Sequence, residues 1–297
     1  MHNILVTGSR GQLGSDIREL ISKDESLILN FEFIFTDKST LDITDKVAIE
    51  NFCQQNNIEI IINCAAYTAV DKAEEDEINA NAINHLAVIY MANIAKKRKI
   101  RLIHISTDYV FDGQNYKPYI EEDKANPQGV YGETKLLGEE AIKSINPESA
   151  IIIRTSWVYS TFGNNFVKTM LNLGKDRDEL EVIFDQVGAP TYAKDLAKVI
   201  LDIIPQLSHS KHDEESNVEI YHYSNEGVCS WFDLAKAIFE LSNIECKVNP
   251  IETFQYPTPA KRPHYSILNK SKIKKEYNIT IPYWKDSLEI ALKEMKG

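Results

Sequence analysis

Two residues four positions apart, Tyr131 and Lys135, form the pair with the clearest chemical potential in this sequence. Helical spacing places both side chains on one face. A phenol with its ordinary pKa of about 10 is a poor proton donor to an alkoxide-like oxygen, and a neighbouring ammonium lowers that pKa by favouring the phenolate. Earlier in the chain, Thr107 ends an apolar stretch and carries a hydroxyl that can donate to a carbonyl oxygen. Together the three side chains indicate acid–base chemistry at a carbonyl group, with Tyr131 as the acid.

A glycine-rich loop near the N-terminus is the second feature with chemical meaning. The apolar residues Ile4-Leu5-Val6 run into Thr7-Gly8-Ser9-Arg10-Gly11-Gln12-Leu13-Gly14 and then into a helical pattern. The glycines permit a tight turn, a close approach of the backbone to a pyrophosphate and close packing of helix on strand. The helix N-terminus supplies amide donors. The loop therefore predicts a dinucleotide cofactor, with contacts from Gly8, Gly11 and Gly14.

Two acidic residues follow the second apolar run, where the adenosine ribose of a dinucleotide would lie. Asp37 can accept a hydrogen bond from a ribose 2′-hydroxyl, and Asp42 is a second candidate. Each could instead be a loop acid or a helix cap. Arg10 in the glycine loop could pair with a 2′-phosphate, so both NADPH and NADH stay open as the cofactor.

Short apolar stretches rich in β-branched residues must position these side chains. They recur, each followed by a helix-like segment, at 3–7, 31–36, 58–62, 101–106 and 150–153. This alternation predicts an α/β protein with a Rossmann-like, doubly wound parallel sheet, which binds ligands at the carboxyl ends of its strands. The third stretch ends in Asn63-Cys64-Ala65-Ala66-Tyr67, whose small residues let a flat cofactor lie against the backbone.

The alternation weakens after Arg154, although helical patterns remain. They lie at 165–174, 193–204, 230–242 and 285–295. We expect residues 1–155 to form a dinucleotide-binding domain, with 193–224 returning to it. Residues 156–192 and 225–297 would form a smaller C-terminal substrate-binding part. The polar segment Ser208–Asn217 is expected to be an exposed connection, and Glu74–Lys99 a helix with acids at its start and bases at its end.

The overall charge excludes some classes of partner. The 33 Lys and Arg against 44 Asp and Glu give a net charge of −11, and the pI is about 5.2. No global field would gather phosphates, so we expect neither nucleic acid nor an anionic membrane as the main partner. The stretch Lys261–Lys275 is an exception, with six Lys or Arg and no acid. A solvated surface is its favoured interpretation, and an anionic substrate pocket is the alternative.

Composition and cysteine usage indicate a globular protein of a reducing compartment. An apolar fraction of 43% and a charged fraction of 26% are close to the globular average. The four cysteines show neither metal-ligand nor redox-motif spacing. No apolar run approaches ~18 residues, the length of a membrane span. We therefore expect a soluble, cytoplasmic protein.

The motifs together resemble the extended short-chain dehydrogenase/reductase superfamily and, within it, the dTDP-4-dehydrorhamnose reductase family. The likeness spans nearly the whole chain. The segments that carry it are Gly11-Gln12-Leu13-Gly14, Ala65–Glu74, Ser106–Gly113, Tyr131–Lys135, Arg154–Tyr159, Asn164–Phe166, Asp185–Thr191 and Tyr256–Pro263. Each segment is modest by itself, and the ordered set is specific.

The resemblance implies a reaction in which Tyr131 protonates the C4 carbonyl oxygen of dTDP-4-dehydro-β-L-rhamnose while NADPH or NADH delivers hydride to C4. The product is dTDP-β-L-rhamnose, used for cell-surface polysaccharides. Thr107 would polarise the carbonyl, Asp108 and Trp157 would contact the sugar, and Lys135 would hold the nicotinamide ribose. For Trp157 a buried core position is the alternative. The implied cofactor contacts are Gly11, Gln12, Leu13, Asp37, Asp42, Ile43, Ala65, Ala66 and Tyr67, and we expect Tyr131 and Lys135 to contact the cofactor as well.

The family also implies a homodimer, and some relatives are magnesium-dependent, with a metal held by carboxylates near the subunit interface. No segment of this chain has convincing ligand spacing. Lys194 follows Pro190-Thr191 at a place where an acid would help. We therefore expect no metal ion.

Three other functions compete with this interpretation. Dehydratases of the superfamily carry an acidic pair after the strand-end threonine, and here Thr107-Asp108 is followed by Tyr109, which argues against them and related epimerases. A 4-ketoreductase for another nucleotide 6-deoxysugar is harder to exclude, since fold likeness does not fix substrate. A non-catalytic NADP-binding subunit, like the regulatory subunit of methionine adenosyltransferase, needs no sugar site.

Overall fold

The computed structural model describes residues 2–24, 29–207 and 218–296, and these contain a six-stranded parallel sheet. From one edge to the other its strands are Phe31–Phe35 (β2), His2–Thr7 (β1), Ile58–Asn63 (β3), Arg101–Thr107 (β4), Ala150–Thr155 (β5) and Val218–His222 (β10). The first five coincide with the predicted apolar stretches, and the α/β doubly wound fold is confirmed. The predicted exposed connection at 208–217 lies outside the described residues.

The strand order creates a crevice at the carboxyl edge of the sheet. The chain leaves β1 for β2 on one side and returns to β3 on the other, so the order reverses between β1 and β3. Open α/β sheets bind their ligands at such a reversal. The glycine loop after β1 and the Ala65-Ala66 segment after β3 both lie there.

Helices cover both faces of the sheet because its central strands are apolar on both sides. Ile60, Ile61 and Ile62 are fully buried, and they alternate between two hydrophobic clusters. The helices are Gln12–Ile21 (α1), Lys46–Gln55 (α2), Val70–Ala73 (α3), Glu77–Asn81 (α4), Ala87–Arg98 (α5), Val130–Ile145 (α6), Phe166–Asp176 (α7), Ala193–Ile203 (α8), Trp231–Ser242 (α9), Ser271–Tyr277 (α10) and Trp284–Lys296 (α11). Helices α1 and α8 contribute to one cluster, and α2, α5 and α6 to the other.

The prediction of one regular helix over Glu74–Lys99 is wrong at its start and in its middle. Helix α4 begins at Glu77, and a π-helical turn, Ala82–Leu86, separates it from α5. Glu74 instead follows the short helix α3 as its C-cap, and its carboxylate accepts a hydrogen bond at 2.9 Å from the backbone N–H of Val130. That contact caps the N-terminus of α6, whose Gly129 N-cap has no side chain to do so.

A separate apolar cluster forms among the helices of the C-terminal half. It gathers side chains of α7, α9 and α11. Short strand pairs border it: Val158–Tyr159 (β6) with Thr191–Tyr192 (β9), Glu179–Ile183 (β7) with Lys247–Ile251 (β12), and Val187–Gly188 (β8) with Cys229–Ser230 (β11). The division into a dinucleotide-binding domain and a substrate-binding part stays a prediction. Within the described part of the chain, no helix is long and apolar enough to span a membrane.

Candidate active site

The glycine loop has the shape that a pyrophosphate requires. Gly8 adopts a φ of +67°, and a Cβ there would lie 2.7 Å from the backbone nitrogen of Ala65. A Cβ on Gly14 would lie 2.6 Å from the carbonyl oxygen of Gly8. Helix α1 starts after Gly11 without a side-chain cap, so its first amides remain free of side-chain acceptors. A bare helix N-terminus beside a backbone that only glycine permits fits a dinucleotide pyrophosphate.

A cavity of about 380 Å³ opens next to this loop. Of the predicted cofactor residues, it is lined by Gly8, Arg10, Gly11, Asp37, Asp42, Ile43, Ala65 and Ala66. Further lining residues, which sequence reasoning missed, are Lys38, Leu41, Thr44, Cys64, Asn79, Ala82 and Ile83. Lys38 had a signal, because it directly follows the acid expected at the ribose. The remaining predicted contacts, which do not line the cavity, are Gln12, Leu13, Gly14, Tyr67, Tyr131 and Lys135.

Asp37 and Arg10 form an ion pair at the rim of the cavity, with Nε 2.5 Å from Oδ2. Asp37 also accepts hydrogen bonds from the N–H and the hydroxyl of Ser39, which with the nearby Arg10 lower the pKa of its carboxyl. Asp42 accepts similarly from Thr44. Both acids are therefore loop acids in local turns, and both line the cavity. The charge of Arg10, which favours NADPH, and the charge of Asp37, which favours NADH, therefore neutralise each other.

The loop that carries Tyr67 is attached to α6 by a residue that sequence reasoning missed. Asn84, buried in the π-helical turn, accepts from the Tyr67 N–H at 2.8 Å and donates to the Tyr67 carbonyl at 3.1 Å. Its amide also donates to the Thr134 hydroxyl of α6 at 3.2 Å. A π-helical turn is a common feature of functional sites. Asn84 thus joins the cofactor side of the crevice to the helix of Tyr131.

Tyr131 lies in the first turn of α6, with its ring edge against Tyr109 at a centroid distance of 5.4 Å. Burial raises the pKa of Tyr131 to about 12. The Thr107 hydroxyl opposes that rise, and the negative charge of the Asp108 carboxyl adds to it. The expected lowering of the Tyr131 pKa by Lys135 is not found. The reason is geometric, because the Lys135 ammonium points to strand β4 and donates to the Ile105 carbonyl at 2.6 Å.

Thr107 stands between Tyr131 and a buried acid. Its hydroxyl donates to Asp108 Oδ1 at 3.0 Å and accepts from the Tyr109 N–H at 3.2 Å. Burial raises the pKa of Asp108 to about 7, against the opposing hydrogen bonds of Thr107 and Ser266. A carboxyl with that pKa is partly protonated near neutral pH. The structure brings Tyr131, Thr107 and Asp108 together, as the motifs predicted.

Trp157 is half-buried, so it is neither a core aromatic nor a free surface residue. Its indole stacks on that of Trp231, with centroids 3.6 Å apart and planes 10° from parallel. A Cβ on Gly188 would lie 2.6 Å from the Trp157 ring and 2.8 Å from Ser266 Oγ. Gly188 therefore lets the Trp157 ring and the Ser266 hydroxyl both lie close to its backbone. Trp231 was missed, although an aromatic residue at the start of a predicted helix was a signal.

Lys194 follows Pro190-Thr191, at the place where an acid would help to bind a metal ion. Its ammonium contacts Glu19 at 3.1 Å and Glu294 at 2.8 Å, joining α1, α8 and α11. Within the described residues, no group of three or more His, Cys, Asp or Glu side chains could hold a metal ion. The Glu19 and Glu294 carboxylates beside Lys194 are thus already paired with a cation of the chain.

The basic stretch Lys261–Lys275 is paired with acids from distant segments. Arg262 makes a two-point contact with Asp71, at 2.6 and 3.0 Å. Other ion pairs in this stretch join Lys270 and Lys274 to Glu226, and Lys272 to Glu219. The expected solvated surface is therefore largely an ion-paired one.

Comparison with known proteins agrees with this geometry. The family described as RmlD substrate binding domain matches residues 1–296. A dTDP-4-dehydrorhamnose reductase of Aggregatibacter actinomycetemcomitans is 40% identical over 296 residues, which are 97% of this chain and 98% of that protein. The crystal structure of a dTDP-4-dehydrorhamnose reductase from Clostridium acetobutylicum is 42% identical, with a TM-score of 0.91 and coverage of 99% and 100% of the two chains. A Bacillus anthracis dTDP-4-dehydrorhamnose reductase in complex with NADP is 36% identical, with a TM-score of 0.90 and coverage of 99% of each chain. The chain therefore belongs to the dTDP-4-dehydrorhamnose reductase family, as its motifs indicated.

Proposed function

We propose that this protein reduces the C4 ketone of dTDP-4-dehydro-β-L-rhamnose to the alcohol of dTDP-β-L-rhamnose, with NADPH or NADH as the reductant. The observation that carries the proposal is that Tyr131, packed on Tyr109, lies beside Thr107 and Asp108 at the carboxyl edge of a sheet whose crevice fits a dinucleotide. The match to reductases over the whole chain supports the same substrate class.

The crevice would hold the cofactor through residues of the glycine loop and the strand ends. The bare N-terminus of α1 and the backbone of Gly8 would bind the pyrophosphate, and Ala65 and Ala66 leave room for a flat group. At the adenosine ribose, Asp37 favours the 2′-hydroxyl of NADH, while Arg10 and Lys38 favour the 2′-phosphate of NADPH. The bound nicotinamide supplies the hydride for C4.

Side chains of the protein supply the proton and a hydrogen bond to O4 of the substrate. Tyr131 donates its phenolic proton to the carbonyl oxygen as negative charge develops there, and the Thr107 hydroxyl donates a second hydrogen bond to the same atom. Thr107 would turn from Asp108 to the substrate in the protonated state of Asp108, which a pKa of about 7 makes accessible near neutral pH. Lys135 would hold the nicotinamide ribose through its ammonium.

The sugar would lie between Asp108 and the stacked indoles of Trp157 and Trp231. These indoles offer a flat apolar face, and the Asp108 carboxyl offers a polar partner for a sugar hydroxyl. In this proposal residues 1–155 with 193–224 bind the cofactor, and 156–192 with 225–297 supply most of the sugar-binding part. A cytoplasmic homodimer is part of the proposal, on the strength of the family likeness and of four free cysteines.

An assay of NADPH oxidation with several nucleotide 4-keto-6-deoxysugars tests the proposed function, with the C4 configuration of the product read by NMR. Turnover should be greatest with the dTDP-4-keto sugar. Tyr131→Phe keeps the ring and removes the acid, so kcat should fall by ~10²–10⁴-fold while NADPH still binds. A preference for another nucleotide sugar would indicate the alternative ketoreductase. NADPH binding without turnover of any keto sugar would indicate the non-catalytic subunit.

A further inference from the structure

A row of buried polar side chains crosses the sheet beneath the catalytic helix. Thr7 at the end of β1, Asn63 at the end of β3 and His104 in β4 are register partners on neighbouring strands. Each is about 1% exposed. Thr7 Oγ1 donates to Asn63 Oδ1 at 2.7 Å, and Asn63 Nδ2 lies 2.9 Å from His104 Nδ1. Register partners in a sheet share a face, so the row points at α6, which covers that face.

The row ends at the ammonium of Lys135. His104 Nε2 lies 3.3 Å from Lys135 Nζ, which also donates to the Ile105 carbonyl at 2.6 Å. The other charged and titratable groups around Lys135 are Tyr131 and Glu139 of its own helix and Arg154 of β5. The Glu139 carboxylate is held by Arg154 at 2.7 Å and by the Ser106 hydroxyl at 2.5 Å. The side chain that bonds directly to Lys135 is thus an imidazole.

That imidazole is uncharged, because burial and, second, the charge of Lys135 hold the pKa of His104 well below its usual range. A neutral imidazole has one nitrogen that donates and one that accepts. With Asn63 Nδ2 donating to Nδ1, the ring hydrogen is on Nε2 and faces Lys135, an arrangement that suits the neutral amine, whose lone pair accepts it. An ammonium has no lone pair, so it requires the opposite tautomer and an Asn63 amide turned by 180°.

We propose that His104 is a positioning residue for Lys135, and that it hydrogen-bonds the lysine in both charge states by exchanging its ring tautomer. Asn63 follows the exchange by turning its amide, and Thr7 completes the row at the base of the glycine loop. The row thereby connects the cofactor loop to the lysine that would hold the nicotinamide ribose.

The consequence for the reaction is that Lys135 can change charge in place. Burial lowers the pKa of Lys135 to about 8, against the opposing effect of Glu139, so both charge states are populated near neutral pH. A lysine that keeps its position in both states keeps its place at the proposed nicotinamide ribose site across that pH range. This role rests on the proposed reductase function.

Two substitutions separate hydrogen bonding from packing. His104→Met keeps a similar volume and removes both ring nitrogens, whereas His104→Gln keeps an amide that can present either oxygen or nitrogen. Ile152→Ala is the matched control, because Ile152 is the register partner of His104 in β5 and is fully buried. It reports the effect of lost core packing by itself.

The primary measurement is the titration of the Lys135 ¹³Cε resonance in protein without cofactor, assigned with Lys135→Arg. In His104→Met both charge states of Lys135 lose a bond, but the bond to the ammonium is the stronger one, so the variant should lower the Lys135 pKa by ~1 unit or more. The alkaline limb of kcat/KM should move to lower pH by the same amount. In His104→Gln the Lys135 pKa should stay within about half a unit of its value in the parent protein. Ile152→Ala should reduce thermal stability without moving the alkaline limb of kcat/KM.

An unchanged Lys135 pKa in His104→Met would overturn the role of His104, and so would equal shifts in the Met and Gln variants or in Ile152→Ala. The outcome is independent of the reductase assay. A parent protein whose Lys135 titrates as described, but which turns over no keto sugar, would refute the proposed function alone.

Discussion

Replacing Thr107 by Val removes one hydroxyl at almost constant volume and tests the centre of the proposed mechanism. Thr107 is 4% exposed, and its hydroxyl donates to Asp108 and accepts from the Tyr109 N–H. The same hydroxyl lowers the pKa of Tyr131. In the variant, the developing negative charge on the substrate oxygen loses one donor. A hydrogen bond to a charged group contributes ~1.5–3 kcal/mol.

That energy corresponds to a decrease in kcat of ~10–150-fold, since about 1.4 kcal/mol is a factor of ten. The pKa of Tyr131, already about 12, should rise further without the Thr107 hydroxyl, which weakens the acid in the same direction. Because the lost interaction forms in the transition state, kcat and kcat/KM should fall together and KM should change little.

The assay is initial-rate NADPH oxidation at saturating dTDP-4-keto sugar, with Thr107→Ser as the matched control. Serine keeps the hydroxyl and should retain most of the turnover. Fluorescence titration with NADPH and thermal unfolding show whether the valine variant still folds and binds the cofactor. The reasoning is refuted if Thr107→Val turns over within about threefold of the parent, or if the serine variant is as impaired as the valine variant.

Three further predictions concern the cofactor crevice and the metal. Arg10→Ala should weaken NADPH more than NADH and Asp37→Ala should do the reverse, with a parent preference below about tenfold because exposed charge contacts contribute little; kcat/KM for both cofactors decides this, and a preference above roughly a hundredfold contradicts it. Gly14→Ala should weaken NADPH binding by roughly tenfold or more in a fluorescence titration, because its Cβ would meet the Gly8 carbonyl at 2.6 Å; unaltered affinity would show that the loop tolerates the methyl group. Turnover should be the same in EDTA and in added magnesium, because the carboxylates of Glu19 and Glu294 are already paired with the Lys194 ammonium; loss of turnover in EDTA would reveal a required metal.

The sheet and its chemical motifs could be predicted because their signals are local. β-branched runs such as Ile60-Ile61-Ile62 specify buried parallel strands, and glycines at fixed spacing specify the turn after β1. The helical spacing of Tyr131 and Lys135 likewise placed both on α6. Each of these signals depends on neighbours in sequence, so one chain without relatives is enough to read it.

Contacts between distant segments could not be predicted in the same way. The Glu74 cap on α6, the Asn84 bridge to Thr134 and the Trp157–Trp231 stack each join residues far apart in sequence. Their formation depends on how helices pack on the sheet, and residue type alone does not determine that packing.

The sequence by itself determined the fold class and the glycine loop after β1, and it indicated the tyrosine that we propose as the acid. Only the tertiary structure decided the electrostatics, since a pKa depends on burial and on charges brought near by folding. Lys135 illustrates the difference: its spacing from Tyr131 predicted a direct effect on the phenol, yet packing directs its ammonium to His104 and the Ile105 carbonyl. Spacing along a helix determines which face a side chain shares, whereas the strand beneath it determines where its charge comes to lie.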